Sequence, residues 1–266
     1  MTGATDPRLS FGPTAEIYDQ IRPTYPPALY DDLFDEPALK SGSEPPLVIE
    51  VGPGTGKATR DLLGRGARVH GIEISPAMAA KLRTGLQSED LTITVGDFEA
   101  MPVDTASADV VFSATAYHWV SPKAQANRPA ELLRPGGLIA IVDLIQVDSD
   151  DDHGFFTAAQ PIYERYGQGH KGPPAPKRHA VDPPMAAVLA DDDRYTDTTV
   201  RCYDWNQTYS APDYRKLMLS YSGTQMMGDT ARRGLLDEIE TFINDEFGGV
   251  VTRPLVTTLT TSSLRT

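Results

Sequence analysis

From Leu47 to Asp143 the chain alternates short apolar runs with stretches of helical period, the pattern of a parallel sheet covered by helices on both faces. The runs Leu47–Val51, Arg68–Ile72, Leu91–Val95, Asp109–Ser113 and Leu138–Asp143 have strand length, and Gly, Pro, Asp or Ser bounds each one. Between them, Thr55–Leu63 sets Ala58, Leu62 and Leu63 on one side of a helix. A second helix, Ala77–Leu86, follows Ser75 as its N-cap and Pro76 in the first turn, where no backbone donor is required. A third, Arg128–Leu133, is expected to stop at Pro135-Gly136-Gly137. After residue 143 the rhythm changes. A helical stretch over Phe155–Tyr166 leads into Gly167–Pro184, too rich in proline and glycine for regular structure and longer than an ordinary loop, hence a lid or exposed excursion. Thr198–Trp205 predicts a strand, Pro212–Tyr221 a helix, Asp229–Phe247 an amphipathic helix, and Val250–Thr261 a last strand. The pattern therefore predicts an α/β fold with a mostly parallel seven-stranded sheet. The final strands lack a parallel-crossover rhythm, which places an antiparallel strand at one sheet edge.

At 266 residues the chain is long enough for one domain carrying a lid. We expect a single domain over 1–266, with an N-terminal segment 1–44, a core 45–145, lid and substrate insertions 146–235, and a last helix and strand 236–266. Twenty-four basic against 37 acidic residues, a net charge of -13, argue against a nucleic-acid partner, because phosphate binding needs a positive field. A small-molecule substrate is expected instead. The acidic runs Asp150–Asp152 and Asp191–Asp193 read as solvated charge. The densest apolar run, Leu138–Val142, is far shorter than the roughly 20 residues of a membrane span. No membrane association is expected, and the opening MTGATDPRLSFG has neither a secretory nor a transit pattern, so a cytoplasmic setting is the expectation. Cys202 is the single cysteine, and His153, His170 and His179 lack the spacing of ligand sets, so neither a disulfide nor a metal site is expected. Oligomeric state leaves no mark on the pattern.

The first strand runs directly into Gly52-Pro53-Gly54-Thr55-Gly56, which opens a helix. Glycines at such a junction let the backbone turn tightly and approach a ligand that a Cβ would exclude, which suggests a nucleoside-bearing ligand. The spacing G-x-G-x-G differs from the dinucleotide fingerprint G-x-G-x-x-G, and no triphosphate loop is present. Glu50, two residues before the first glycine, would repel a pyrophosphate and attract an ammonium group. Glu73 ends the second strand, seventeen residues past Gly56, near the distance at which an acidic side chain meets ribose hydroxyls. Asp97, after the third strand, is placed to accept from an exocyclic amine while Phe98 packs on a base. Each acid alone could be a helix cap or a surface charge. Three of them at successive strand ends mark the crevice where open α/β sheets bind ligands.

These residues bring a family into view. Val48–Thr59 (VIEVGPGTGKAT), Gly71-Ile-Glu73-Ile-Ser, Gly96-Asp97-Phe98 and Leu133-Arg-Pro-Gly-Gly-Leu together resemble the class I S-adenosylmethionine-dependent methyltransferases over about residues 45 to 145. The resemblance implies a Rossmann-like fold with S-adenosyl-L-methionine as cofactor. Glu50, Gly52, Gly54 and Gly56 would face its methionyl part, Glu73 its ribose, and Asp97 with Phe98 its adenine. Ile74, beside Glu73, and Ala114, at the end of the fourth strand, complete the cofactor-binding set it implies. Phe11–Pro26, through Phe11, Tyr18, Arg22-Pro23 and Tyr25-Pro26, and Ala116-Tyr117-His118-Trp119 look like a narrower group, the small-molecule enzymes similar to trans-aconitate methyltransferase. In that group the N-terminal segment folds over the cofactor, which would put Tyr18 in the site and send Arg22 to a carboxylate. The alternative for these residues is ordinary aromatic packing and a surface ion pair.

Methyl transfer from a sulfonium is an in-line displacement, so alignment and exclusion of water matter more than an acid–base pair. His118 is the candidate general base, since it follows the fourth strand and its free pKa lies near neutrality; a pocket-shaping role is the other reading. Trp119 reads as a packing residue or a substrate platform. Two other functions share this sheet: a protein that binds the cofactor without turnover, and a nicotinamide-dependent oxidoreductase, which needs the other glycine spacing.

Overall fold

The structure, a computed structural model, describes residues 15–40, 44–169 and 174–266. Phe11 and His170 lie outside the described residues. Among the described residues seven strands form one sheet: β1 Leu47–Val51, β2 Arg68–Glu73, β3 Leu91–Val95, β4 Ala108–Ala114, β5 Leu133–Gln146, β6 Tyr195–Ser210 and β7 Val250–Leu264. Their order is β3-β2-β1-β4-β5-β7-β6. β1 pairs in parallel with β2 and β4, β2 with β3, and β4 with β5. β6 and β7 run in opposite directions, since the Thr198 hydroxyl meets that of Ser262 and the Thr199 hydroxyl that of Thr261, each at 2.9 Å. The expected antiparallel pairing thus lies at one end of the sheet.

The strand order reverses between β1 and β4, so the carboxyl ends of these two strands open a crevice. Successive residues of the inner strands face opposite apolar clusters. Val48, Phe112 and Ala140 pack with Leu29 and Tyr30 of the helix Pro27–Phe34 and Leu62 of the helix Lys57–Gly64. Ile49, Val111 and Ile141 pack with Leu132, Met185 and Leu189 on the other face. Both faces are covered, which is why these strands read as continuous apolar runs.

The chain falls into two compact units. The sheet unit comprises Thr24–Leu144, Asp182–Tyr203 and Thr257–Thr266 and contains both clusters just described. The helical unit comprises the described residues up to Pro23, with Ile145–Val181 and Asp204–Val256, and has its own core around Phe155, Tyr214, Leu235 and Ile239. The segment 146–235 expected as a lid is therefore divided, because 182–203 groups with the sheet. Another difference concerns the third helix, which spans Pro122–Leu132 and begins well before Arg128. Pro122 is its first-turn proline and Pro129 sits inside it; an interior proline costs a hydrogen bond and usually marks a helix start. β5 then follows at once from Leu133, with a register shift against β4 between Ala108 and Val110. Among the described residues no helix is long and apolar enough to cross a membrane.

Candidate functional site

The loop after β1 takes its shape from three glycines with positive φ: Gly52 at 66°, Gly54 at 59° and Gly56 at 90°. A Cβ on Gly52 would lie 2.6 Å from the Ala116 Cβ, so glycine there lets the loop after β4 close against the loop after β1. A Cβ on Gly54 would meet nothing within 4 Å. That open cradle adjoins Thr55, whose buried Oγ1 has no hydrogen-bond partner among the described residues. Backbone close approach and an orphaned hydroxyl are what a loop holding a ligand leaves behind.

Two buried carboxylates stand beside this loop. Glu73 is 5% exposed, and its Oε2 accepts the Gly54 N–H at 2.9 Å while Oε1 accepts the Ser75 N–H at 2.8 Å. The side chain thereby fastens the glycine loop to the end of β2, and each oxygen keeps a further acceptor site. Burial pushes the Glu73 pKa up, against the backbone N–H donors of Ser75, Gly54 and Ile74. Glu50 is 1% exposed and accepts a 2.6 Å hydrogen bond from the Thr59 hydroxyl. Burial pushes its carboxyl up to about 7; the Thr59 hydrogen bond works against this and the charge of Glu73 adds to it. A cation bound here would relieve both carboxylates, whereas a pyrophosphate would add to their repulsion. The residues present therefore fit an ammonium- and sulfonium-bearing nucleoside.

The loops after β3 and β4 complete the crevice. The Gly96 N–H donates to the Glu73 carbonyl at 3.0 Å, joining the end of β3 to that of β2. Asp97 Oδ1 accepts the Glu99 N–H at 3.0 Å. Phe98 is buried, its ring centroid 6.5 Å from that of Tyr117, and its carbonyl accepts from Arg128 Nε at 3.3 Å. Glu99 ties this loop to the next, because its carboxylate accepts the Ser121 N–H at 2.8 Å and the Ser121 hydroxyl at 2.6 Å. Ile74 and Ala114 are half-buried at the ends of β2 and β4. His118 sits on a single 3₁₀ turn, Tyr117–Trp119, its ring 4.9 Å from that of Trp119. Desolvation pulls its pKa down, which favours the neutral imidazole with its lone pair.

Glu50, Gly52, Gly54, Gly56, Glu73, Ile74, Asp97, Phe98, Ala114 and His118 are thus all in the sheet unit, most at strand ends. Tyr18 is not among them: it belongs to the helical unit, on the helix Ala15–Ile21. There the Arg22 guanidinium lies 5.1 Å from the Tyr18 ring centroid and 4.2 Å from that of Tyr221, and it donates to the Ser220 hydroxyl at 2.8 Å and carbonyl at 3.1 Å. Tyr25, from the same sequence motif, is in the sheet unit, its hydroxyl 2.9 Å from that of Thr115. Sequence reasoning passed over Thr55, Thr115 and Asp143. Asp143 carried a signal, an acid ending the apolar run Leu138–Val142.

Comparison with known proteins agrees with the recognition of the core. Residues 49–141 match the family described as "Methyltransferase domain". An uncharacterized methyltransferase of Mycobacterium tuberculosis (strain ATCC 25618 / H37Rv) is 36% identical over 137 residues, 52% of this chain and 53% of that protein. The chain thus matches about half the length of this relative. Among solved structures, phosphoethanolamine N-methyltransferase 2 of Haemonchus contortus, in complex with phosphomonomethylethanolamine and S-adenosylhomocysteine, superposes with a TM-score of 0.57 at 15% identity, covering 100% of this chain and 62% of that one. The YcgJ protein of Bacillus subtilis superposes with a TM-score of 0.51 at 14% identity, covering 86% and 96%. The fold is the Rossmann-like one of these structures.

Proposed function

We propose that this chain, whose residues 49–141 carry the methyltransferase domain, binds S-adenosylmethionine at the Glu50–Gly54–Glu73 slot and transfers its methyl group to a small molecule. The observation that carries the reading is the pair of buried carboxylates, 1% and 5% exposed, around a glycine cradle open to a ligand. When bound, the cofactor supplies an electrophilic methyl carbon on a sulfonium. Glu50 holds the ammonium of the methionyl part, Glu73 accepts from the ribose hydroxyls, and Asp97 with Phe98 and Ile74 bounds the base. Gly52 and Gly56 shape the loop, and Ala114 lines its β4 side. His118, neutral at pH 7, is the candidate proton acceptor on the loop after β4. Tyr18 is retained as a candidate of the N-terminal segment. The bound S-adenosylhomocysteine of the Haemonchus contortus enzyme supports the choice of cofactor, and the net charge of -13 supports a small molecule over nucleic acid. A cytoplasmic setting accords with both.

Titration calorimetry with S-adenosylhomocysteine and, separately, NADH tests this. Binding of the first and not the second is expected; the reverse would overturn the reading. Transfer of radiolabel from the cofactor methyl into a metabolite extract then separates an enzyme from a protein that only binds.

A further inference from the structure

The methyltransferase reading leaves unused one acid with a buried oxygen, Asp143. β5 presents Leu138, Ala140 and Val142 to one apolar cluster and Ile139 and Ile141 to the other. The two-residue period puts Asp143 on the face of Ile139 and Ile141, which also holds Phe98, Tyr117 and Val120. The ladder with β4 ends one step earlier, where Ala114 pairs with Val142 and the Thr115 N–H donates to the Val142 carbonyl at 2.8 Å. Asp143 therefore stands on β5 just beyond the carboxyl end of β4, one strand spacing, about 5 Å, from the start of the loop that carries His118.

Asp143 Oδ2 is buried and has no hydrogen-bond partner among the described residues. Burial pushes its carboxyl up, and among the described residues no cation is set against that shift. A carboxyl oxygen buried without a partner is destabilising, where another apolar residue would continue the strand without that penalty. A second cost lies directly across the ladder. Thr115 is β-branched and has φ 55°, a strained conformation that persists where surrounding contacts enforce it. Here the Tyr25 hydroxyl, 2.9 Å from that of Thr115, is one such contact. An orphaned carboxyl oxygen and a strained residue thus stand side by side where the loop after β4 closes against the glycine loop.

We propose that Asp143 receives the proton of the methyl acceptor, which is therefore an amine or a hydroxyl compound bearing an N–H or O–H. This rests on the methyltransferase reading. In the step, a lone pair on the acceptor nitrogen or oxygen forms the new bond to the methyl carbon as the carbon–sulfur bond breaks, and the electrons of that bond stay on sulfur. The N–H or O–H proton passes to the Asp143 carboxylate. Sulfonium and carboxylate charges are consumed together, leaving a thioether and a neutral acid. With Asp143 as acceptor of the proton, His118, the other candidate for that role, takes its alternative part of shaping the pocket.

The probe is sinefungin, the cofactor analogue in which a carbon bearing a protonated amine replaces the methylated sulfur, titrated by calorimetry beside S-adenosylhomocysteine, which lacks that group. Asp143→Asn, which has the shape of the neutral acid, should weaken sinefungin by about tenfold or more and leave S-adenosylhomocysteine within about twofold. Asp143→Ser repeats the test without an amide, should the first variant fold poorly. Equal loss of both ligands, or no selective loss of sinefungin, would overturn the role of Asp143. A wild-type chain that binds neither ligand would overturn the methyltransferase reading itself, so the two failures are distinguishable.

Discussion

Replacing Glu50 with Gln tests the charge logic of the slot most directly. Glu50 is 1% exposed, and burial pushes its carboxyl from 4.5 up to about 7, the Thr59 hydrogen bond opposing and Glu73 adding. That shift corresponds to about 3 kcal/mol. Its sign follows from which state holds the proton more tightly. The folded chain does, so between about pH 4.5 and 7 it carries more protons at this site than the unfolded chain. The contribution of Glu50 to stability therefore falls as pH rises through that window and is level above it. Glutamine keeps an oxygen for the Thr59 hydroxyl and never ionises. Wild type and Glu50→Gln should have similar stability near pH 5, and the variant should be the more stable by up to about 3 kcal/mol near pH 8. Urea unfolding followed by tryptophan fluorescence in half-unit pH steps measures the gap. A gap that stays constant from about pH 5 to 8 would refute the assignment of a raised carboxyl to Glu50.

If the slot holds the proposed cofactor, the same ionisation governs its binding. An ammonium group binds the carboxylate and not the acid, so below about pH 7 a proton must leave before the slot is competent. Wild-type affinity for S-adenosylhomocysteine should rise by up to about tenfold per unit toward pH 7 and level off above it. Glu50→Gln should bind more weakly and show a flatter profile. The variant thus gains stability and loses function, a combination expected where buried charge is kept for a ligand. A wild-type affinity independent of pH across this range would mean that the ammonium is held elsewhere.

Gly54→Ala would put a methyl group into the open cradle at φ 59°. The strain, about 1–2 kcal/mol, should lower the melting temperature modestly, while S-adenosylhomocysteine binding falls by about tenfold or more; retained affinity in a folded variant would displace the ligand from this loop. Glu99→Ala removes the 2.8 and 2.6 Å bonds to Ser121 and should destabilise the fold by about 1–3 kcal/mol in urea titrations, whereas an unchanged midpoint would mean that the loops after β3 and β4 hold their places without it.

What the sequence disclosed and what it hid divide along a physical line. Leu47–Val51 and Leu91–Val95 are strands at the expected residues, because short apolar runs bounded by glycine, proline or aspartate leave little choice of limits. β6 extends to Tyr195–Ser210, beyond the expected Thr198–Trp205, since a strand half open to solvent offers no apolar run to count. The places of the candidate carboxylates Glu50 and Glu73, toward strand ends beside glycines, were legible in the sequence. Their partners were not, because the Gly54 N–H reaches Glu73 only once β1 and β2 lie side by side. The same limit explains the N-terminal motif. Tyr18, Arg22 and Tyr25 are close in sequence and suggest one covering segment, yet the unit boundary falls after Pro23: Arg22 goes to Ser220 and Tyr25 to Thr115. Asp143 lies at the far end of this scale. A carboxyl closing an apolar strand is unremarkable on paper, and it becomes informative only when packing leaves its buried oxygen with no described donor or cation to answer it. Spacing can thus nominate the charges of a candidate site, whereas which of them are already satisfied, and so which remain to act on a ligand, is a property of the packed molecule.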